Sequence, residues 1–153
     1  MKRLNNSAND EKNHCSPLDM VVIMLGTNDT KERFGLTSYN IAQGIVRLAK
    51  KTKGTESGIG RQTPEVLVIA SPPIGKKYID TPIGRAMGSQ CSEKSLELAE
   101  HLESLLRGTG IHLADSKDEV AMNEIDYMHL DVAGHRKMAK FIQRQITNIL
   151  DKG

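Results

Sequence analysis

The sequence predicts an α/β domain, a parallel β-sheet covered by helices in three layers. Three observations carry that prediction. Short apolar runs without polar alternation recur at residues 20–25, 65–71 and 110–115, the pattern of strands buried on both faces. Longer stretches with apolar residues at helical spacing stand between and after them. Strand and helix patterns thus alternate along the chain, which favours parallel pairing over hairpins.

The elements follow in order. Residues 1–17 are polar and Asn-rich, without periodicity, and read as a disordered or loosely attached leader. Residues 18–153 read as the folded part. The first strand opens at Met20 and closes at Leu25. A helix follows, with Thr37 as its N-cap, Ile41, Ile45, Leu48 and Ala49 on one face, and lysines in its last turn. After the Gly-rich loop 54–64, the second strand covers 65–71 and is stopped by Pro72 and Pro73. Residues 72–91 read as a long irregular segment, of a length that is commonly functional. Ser92 is the expected cap of a helix reaching Arg107, with Leu96, Ala99, Leu102 and Leu106 inward and Gly108 beyond its end. "GIHLAD" supplies the third strand. The final helix begins after Asp131 and turns Val132, Met138, Ala139, Ile142, Ile146 and Ile149 inward.

Composition narrows the function classes. The chain has 153 residues, 38% hydrophobic and 26% charged, with net charge +2, so neither nucleic acid nor an anionic membrane is an implied partner. Aromatic residues make up only 3%, without Trp, too few for stacking platforms. Cys15 and Cys91 form no CxxC pair and read as reduced thiols. No run approaches the roughly 20 apolar residues of a membrane span, and the N-terminus has no apolar signal region, so a cytoplasmic location is the default expectation. No His or Cys pair has metal-ligand spacing, and neither GxGxxG nor GxxxxGK[ST] occurs, so no metal, cofactor or nucleotide is expected.

In parallel sheets, active sites gather at the carboxyl ends of the strands. Three segments fall there. In Gly26-Thr27-Asn28-Asp29, glycine permits a sharp turn, the Asn amide is a neutral donor suited to an oxyanion, and Asp29 is placed to brace nearby N–H groups. Taken alone, the tetrapeptide fits a plain Asx turn equally well. Ser71-Pro72-Pro73 closes the second strand. In Asp126-Tyr127-Met128-His129, a carboxylate three residues before an imidazole can fix its tautomer and free the other nitrogen as a general base. An incidental histidine on a surface loop fits that segment as well. His135 sits at a helical position, and His14, His101 and His112 have no evident partner.

Together these segments resemble the SGNH, or GDSL, hydrolases, in their arylesterase-like branch. "LDMVVIMLGTNDTKERF" is similar to the family's third block, "DYMHLDVAGHRKMA" to its fifth, and "SPPIG" to the pocket loop of the branch; Leu130 replaces a proline that many members carry. The resemblance implies a flavodoxin-like sheet of strand order 2-1-3-4-5. It implies hydrolysis of small-acyl esters through a serine acyl-enzyme, without metal or cofactor. Asn28 would then be an oxyanion donor beside Gly26, His129 the base and Asp126 its orienting carboxylate, with Thr27, Asp29, Ser71, Pro72 and Pro73 around the pocket.

One departure is decisive. The sequence contains no Gly-Asp-Ser, the family's nucleophile block, and no match to its second block. Among substitutes, Ser16 lies at the wrong end of a strand, Ser71 precedes two prolines that cannot supply an oxyanion N–H, and Ser89 and Ser92 stay open. The pattern reads as the family's fold without its first two strands, which leaves the 20–25 strand with an open apolar edge suited to self-association or to a supplied strand. An ester hydrolase lacking its nucleophile block and a non-catalytic binding module of the same fold are therefore both consistent with the sequence.

Overall fold

A computed structural model describes residues 17–58, 60 and 62–151. The expected leader, with Cys15, His14 and Ser16, lies outside the described residues except for Pro17.

Three strands, β1 (Met20–Ile23), β2 (Glu65–Ala70) and β3 (His112–Asp115), form one parallel sheet in the order β1-β2-β3. Met20 pairs with Glu65 and Ile23 with Val68; Leu67 pairs with His112 and Ala70 with Asp115. Four helices accompany them: α1 (Ser38–Lys53), α2 (Pro82–Met87), α3 (Cys91–Leu106) and α4 (Val132–Leu150).

Side-chain alternation along the strands sorts the layers. Ile23, Val66, Val68 and Ala70 pack with Ile41, Ile45 and Ala49 of α1 and with Leu98, Leu102 and Leu106 of α3. Leu67, Ile69 and Ala114 face the other way, onto Met138 and Phe141 of α4. The three-layer α/β/α arrangement is as expected.

β1 is shorter and less covered than its sequence predicts. Only Ile23 of the run is buried, Leu25 is 50% exposed, and among the described residues β1 pairs with β2 alone. With no described strand on its outer side, the apolar run is an open edge, as expected. Leu25, Leu36, Ile41, Ile45 and Leu48 line an apolar groove there. Leu48, expected inward, is exposed for the same reason.

Local chemistry explains the helix ends. The Thr37 side chain accepts from the Asn40 N–H while the Asn40 side chain accepts from the Thr37 N–H, a reciprocal capping box. Asp131 caps α4 by accepting from the Gly134 N–H. α3 departs from expectation. Its cap position is Gln90, in left-handed conformation without a side-chain cap bond, and Ser92 is already inside the first turn. The buried face accordingly runs through Cys91, Leu98, Leu102 and Leu106, and Leu96 points outward. In α4, Val132 and Ala139 are exposed while Phe141 joins the core. The 72–91 segment is not irregular. It holds a 3-10 turn (Lys76–Asp80) and α2, closed over Ile74, Tyr78, Met87, Cys91 and Met128.

Candidate active site

Because the sheet is parallel, the loops after β1, β2 and β3 leave the same edge, and a chain of hydrogen bonds ties them together. The N-terminal turn of α3 holds the first two loops. There the Ser92 hydroxyl donates to Ile74 O at 2.7 Å, and Ser95 Oγ accepts from the Ile74 N–H at 2.9 Å. The Cys91 thiol and Lys94 ammonium each lie 3.4 Å from Thr30 O. The second loop holds the third: the Gly75 N–H donates to Tyr127 O at 2.8 Å. A Cβ on Gly75 would lie 3.0 Å from the Tyr127 Cβ, so a side chain at residue 75 would crowd the contact between the two segments.

The first corner is glycine-dependent. Gly26 has φ +113, and a Cβ there would meet Leu98, Ile45 and Ile41 at 2.9–3.3 Å. The turn is braced by the Asp29 N–H donating to Gly26 O at 3.0 Å and by the Thr30 hydroxyl donating to Thr27 O at 2.7 Å. Among the described residues Asp29 contributes no side-chain bond to it; its carboxylate is exposed beside the apolar groove at the edge of β1. Asn28 is also exposed, in the 3-10 turn that opens this loop.

The third loop joins Asp126 and His129. Asp126 Oδ2 lies 2.7 Å from His129 Nδ1, and Oδ1 accepts from the N–H groups of Met128 and His129 and from Asn123 Nδ2, each at 3.0 Å. Burial opposes the carboxylate charge. The hydrogen bonds from the His129 ring and main chain, from Met128 and from Asn123 outweigh it and hold the carboxyl well below the usual carboxylate range. An ionised Asp126 can only accept, so the proton between the pair sits on Nδ1 and neutral His129 carries its free lone pair on Nε2. The His129 side chain is 64% exposed and Asp126 27%, so that nitrogen is open to an approaching group.

No hydrogen bond joins Asn28 to this pair among the described residues; the corner and the pair share the sheet edge and the α3 turn. Ser71 is partly exposed at the end of β2, Pro72 is buried and Pro73 partly so. Ser92 is 2% exposed with its hydroxyl proton committed to Ile74, which removes it as an attacking group. No described serine hydroxyl is hydrogen-bonded to a histidine. His112, expected to be without a partner, lies 3.1 Å from Glu65 at the opposite end of the sheet, and His101 stacks edge-on against Tyr39. No group of His, Cys, Asp and Glu suited to a metal ion is found among the described residues, and no described helix is long and apolar enough to cross a membrane.

Sequence reading missed Asn123. Its spacing, Asn123-x-x-Asp126-x-x-His129, is visible, but nothing in composition separates it from other loop asparagines. Tyr127 was unforeseen in another way: it has φ +60, a left-handed conformation that tyrosine seldom takes.

Solved structures place this parallel sheet with helices on both faces in one class, the SGNH hydrolase fold. Est24, a carbohydrate acetylesterase from Sinorhizobium meliloti, superposes with a TM-score of 0.78 at 32% identity over 87% of this chain and 62% of its own. The aryl esterase of M. smegmatis gives 0.77 at 29% identity, over 86% of this chain and 61% of its own. A carbohydrate acetylesterase family member from Sinorhizobium meliloti gives 0.75 at 27% identity, over 88% and 63%. The chain resembles the arylesterase-like branch and spans less than two thirds of the length of these enzymes. No protein-family model and no curated protein matches it.

Proposed function

We propose that this chain carries the general-base and oxyanion part of a serine ester hydrolase. Its nucleophile belongs to a segment with the Gly-Asp-Ser block, which is not among these 153 residues. The observation that carries the reading is the 2.7 Å bond between His129 Nδ1 and a fully hydrogen-bonded Asp126 carboxylate, with Nε2 left toward solvent.

In this reading, Nε2 takes the serine hydroxyl proton as the serine oxygen attacks the ester carbonyl, and the imidazolium is stabilised by Asp126. The Asn28 amide donates to the tetrahedral oxyanion. Collapse expels the alkoxide or phenoxide, which takes the proton from Nε2. Water then attacks the acyl-enzyme with Nε2 again as base, releasing the acid and restoring the serine. The substrate class is an ester of a small acyl group, with Thr27, Asp29, Ser71, Pro72 and Pro73 as pocket residues; the carbohydrate acetylesterase and aryl esterase similarities support acetyl esters. The open edge of β1 is where the supplied segment docks, and a second copy of the chain is its competitor there.

Intact mass after fluorophosphonate treatment tests this. The chain alone takes no adduct. Co-expressed with a segment bearing the nucleophile block, it gives one adduct and hydrolyses an aryl acetate, and His129→Ala abolishes both. A single His129-dependent adduct on the chain alone would overturn the assignment of the nucleophile. A folded, complemented protein without hydrolysis would leave a non-catalytic binding module.

A further inference from the structure

The Asn123 side chain makes four hydrogen bonds within the 123–129 loop, as many as Asp126 itself. Its Oδ1 accepts from the N–H groups of Ile125 at 2.7 Å and Asp126 at 2.8 Å. Its Nδ2 donates to Asp126 Oδ1 at 3.0 Å and to His129 O at 2.8 Å. Its own N–H donates to His129 O at 2.8 Å. Chemistry fixes the amide orientation: a flip would set N–H against N–H and oxygen against oxygen in all four side-chain contacts.

These bonds act on both ends of the Asp–His pair. The acceptor half turns the main chain into Asp126. The donor half supplies the one side-chain donor, beside the N–H groups of Met128 and His129, to the Asp126 oxygen that does not face the imidazole, and so opposes rotation of Oδ2 away from Nδ1. The two bonds to His129 O close the loop, whose span is forced through Tyr127 at φ +60. A left-handed tyrosine is strained and persists only where its surroundings over-determine it. Asn123 on one side and the Gly75 N–H on Tyr127 O on the other supply that constraint.

We propose that Asn123 is a positioning residue that fixes the Asp126 carboxylate, and through it the Nδ1-protonated tautomer of His129. The inference rests on the reading of His129 as a general base, because only the Nδ1-protonated form presents Nε2 as an acceptor. Asn123 touches no reacting atom in this scheme.

The test uses the full chain and does not depend on turnover. Long-range 1H–15N correlation of the His129 ring at neutral pH reports which nitrogen holds the proton. The native chain shows Nδ1–H alone. Asn123→Ala, shown to be folded by unchanged amide shifts in β2, loses that single state for a mixture dominated by Nε2–H. An unchanged Nδ1–H signal in the folded variant would overturn the proposal. Should Asn123→Ala fail to fold, Asn123→Asp keeps the acceptor oxygen and sets a second carboxylate against Asp126. Its 13C carboxyl titration then moves Asp126 up toward the ordinary carboxylate range, and an unmoved titration would overturn the proposal equally. In a complemented enzyme, Asn123→Ala lowers kcat by up to about 100-fold with KM unchanged. A complemented native enzyme without activity would refute the hydrolase reading and leave the ring spectrum to decide the role of Asn123.

Discussion

Replacing Gly26 by alanine tests whether the corner before Asn28 is held by the hydrophobic core. The new methyl group meets two penalties. Residue 26 has φ +113, and an L-residue forced into such a conformation costs about 1–3 kcal/mol. The Cβ also lies 2.9 Å from Leu98 Cδ2, 3.2 Å from Ile45 Cδ1 and 3.3 Å from Ile41 Cγ2. All three residues are buried, and overpacking a filled core costs typically about 1–3 kcal/mol more. Gly35 gives a reference for a left-handed position without crowding, because it has φ +62 with nothing within 4 Å of a built Cβ. Urea unfolding followed by far-UV circular dichroism should place Gly35→Ala about 1 kcal/mol below the native chain. Gly26→Ala should fall about 2 kcal/mol further by the overpacking term, at an unchanged dependence on denaturant. Equal losses in the two variants would refute the reasoning, because they would mean that the three methyl groups yield freely and the corner is not built on the core.

Acid should weaken the fold through Asp126. Its folded pKa is depressed, so its contribution is fully present above the unfolded value of about 3.9 and is lost as pH falls below it. The urea midpoint therefore drops less between pH 5 and pH 3 in Asp126→Asn than in the native chain, and parallel drops would count against it. Ser92→Ala leaves the buried Ile74 carbonyl without its donor and costs about 1–3 kcal/mol in the same assay; a neutral result would mean that water replaces the hydroxyl. Gly84→Ala sets a Cβ 2.5 Å from Ile79 O and 2.7 Å from Tyr78 O, and limited proteolysis should then cut near residues 76–90, a segment protected in the native chain. Tyr78 within that segment stays a phenol to high pH, its pKa pushed up to about 12 chiefly by burial, so alkaline difference spectra should show a tyrosine ionisation well above the ordinary value of about 10 that Tyr78→Phe removes. For the open edge of β1, sedimentation should reveal concentration-dependent self-association of the chain that a Met24→Lys/Leu25→Lys pair reduces; a monodisperse monomer at high concentration would remove the edge as an interface.

Much of the fold is legible along the chain because it depends on local periodicity. The unbroken run of β2 is buried along nearly its whole length, Thr37 and Asp131 cap helices with their own side chains, and Ile41, Ile45 and Ala49 fall inward at helical spacing. The pairing of Asp126 with His129 is of the same kind, because three residues of loop suffice to bring the two groups together. Expectations failed where a neighbour decides the outcome. Leu48 and Leu25 are apolar yet exposed because no described strand lies beyond β1. Ser92 has the composition of a cap but serves Ile74, eighteen residues earlier in sequence. The 72–91 segment lacks a strong period, and its order comes from Tyr78, Met87, Cys91 and Met128 closing over one another. The sequence by itself determined the layers, the starts of α1 and α4 and the chemical identity of the Asp–His pair, since these rest on periodicity and short-range hydrogen bonding. Only the tertiary structure decided which glycines are closely packed and how α3 and Gly75 hold three distant loops together, because each depends on atoms far apart in the chain meeting at a few ångströms.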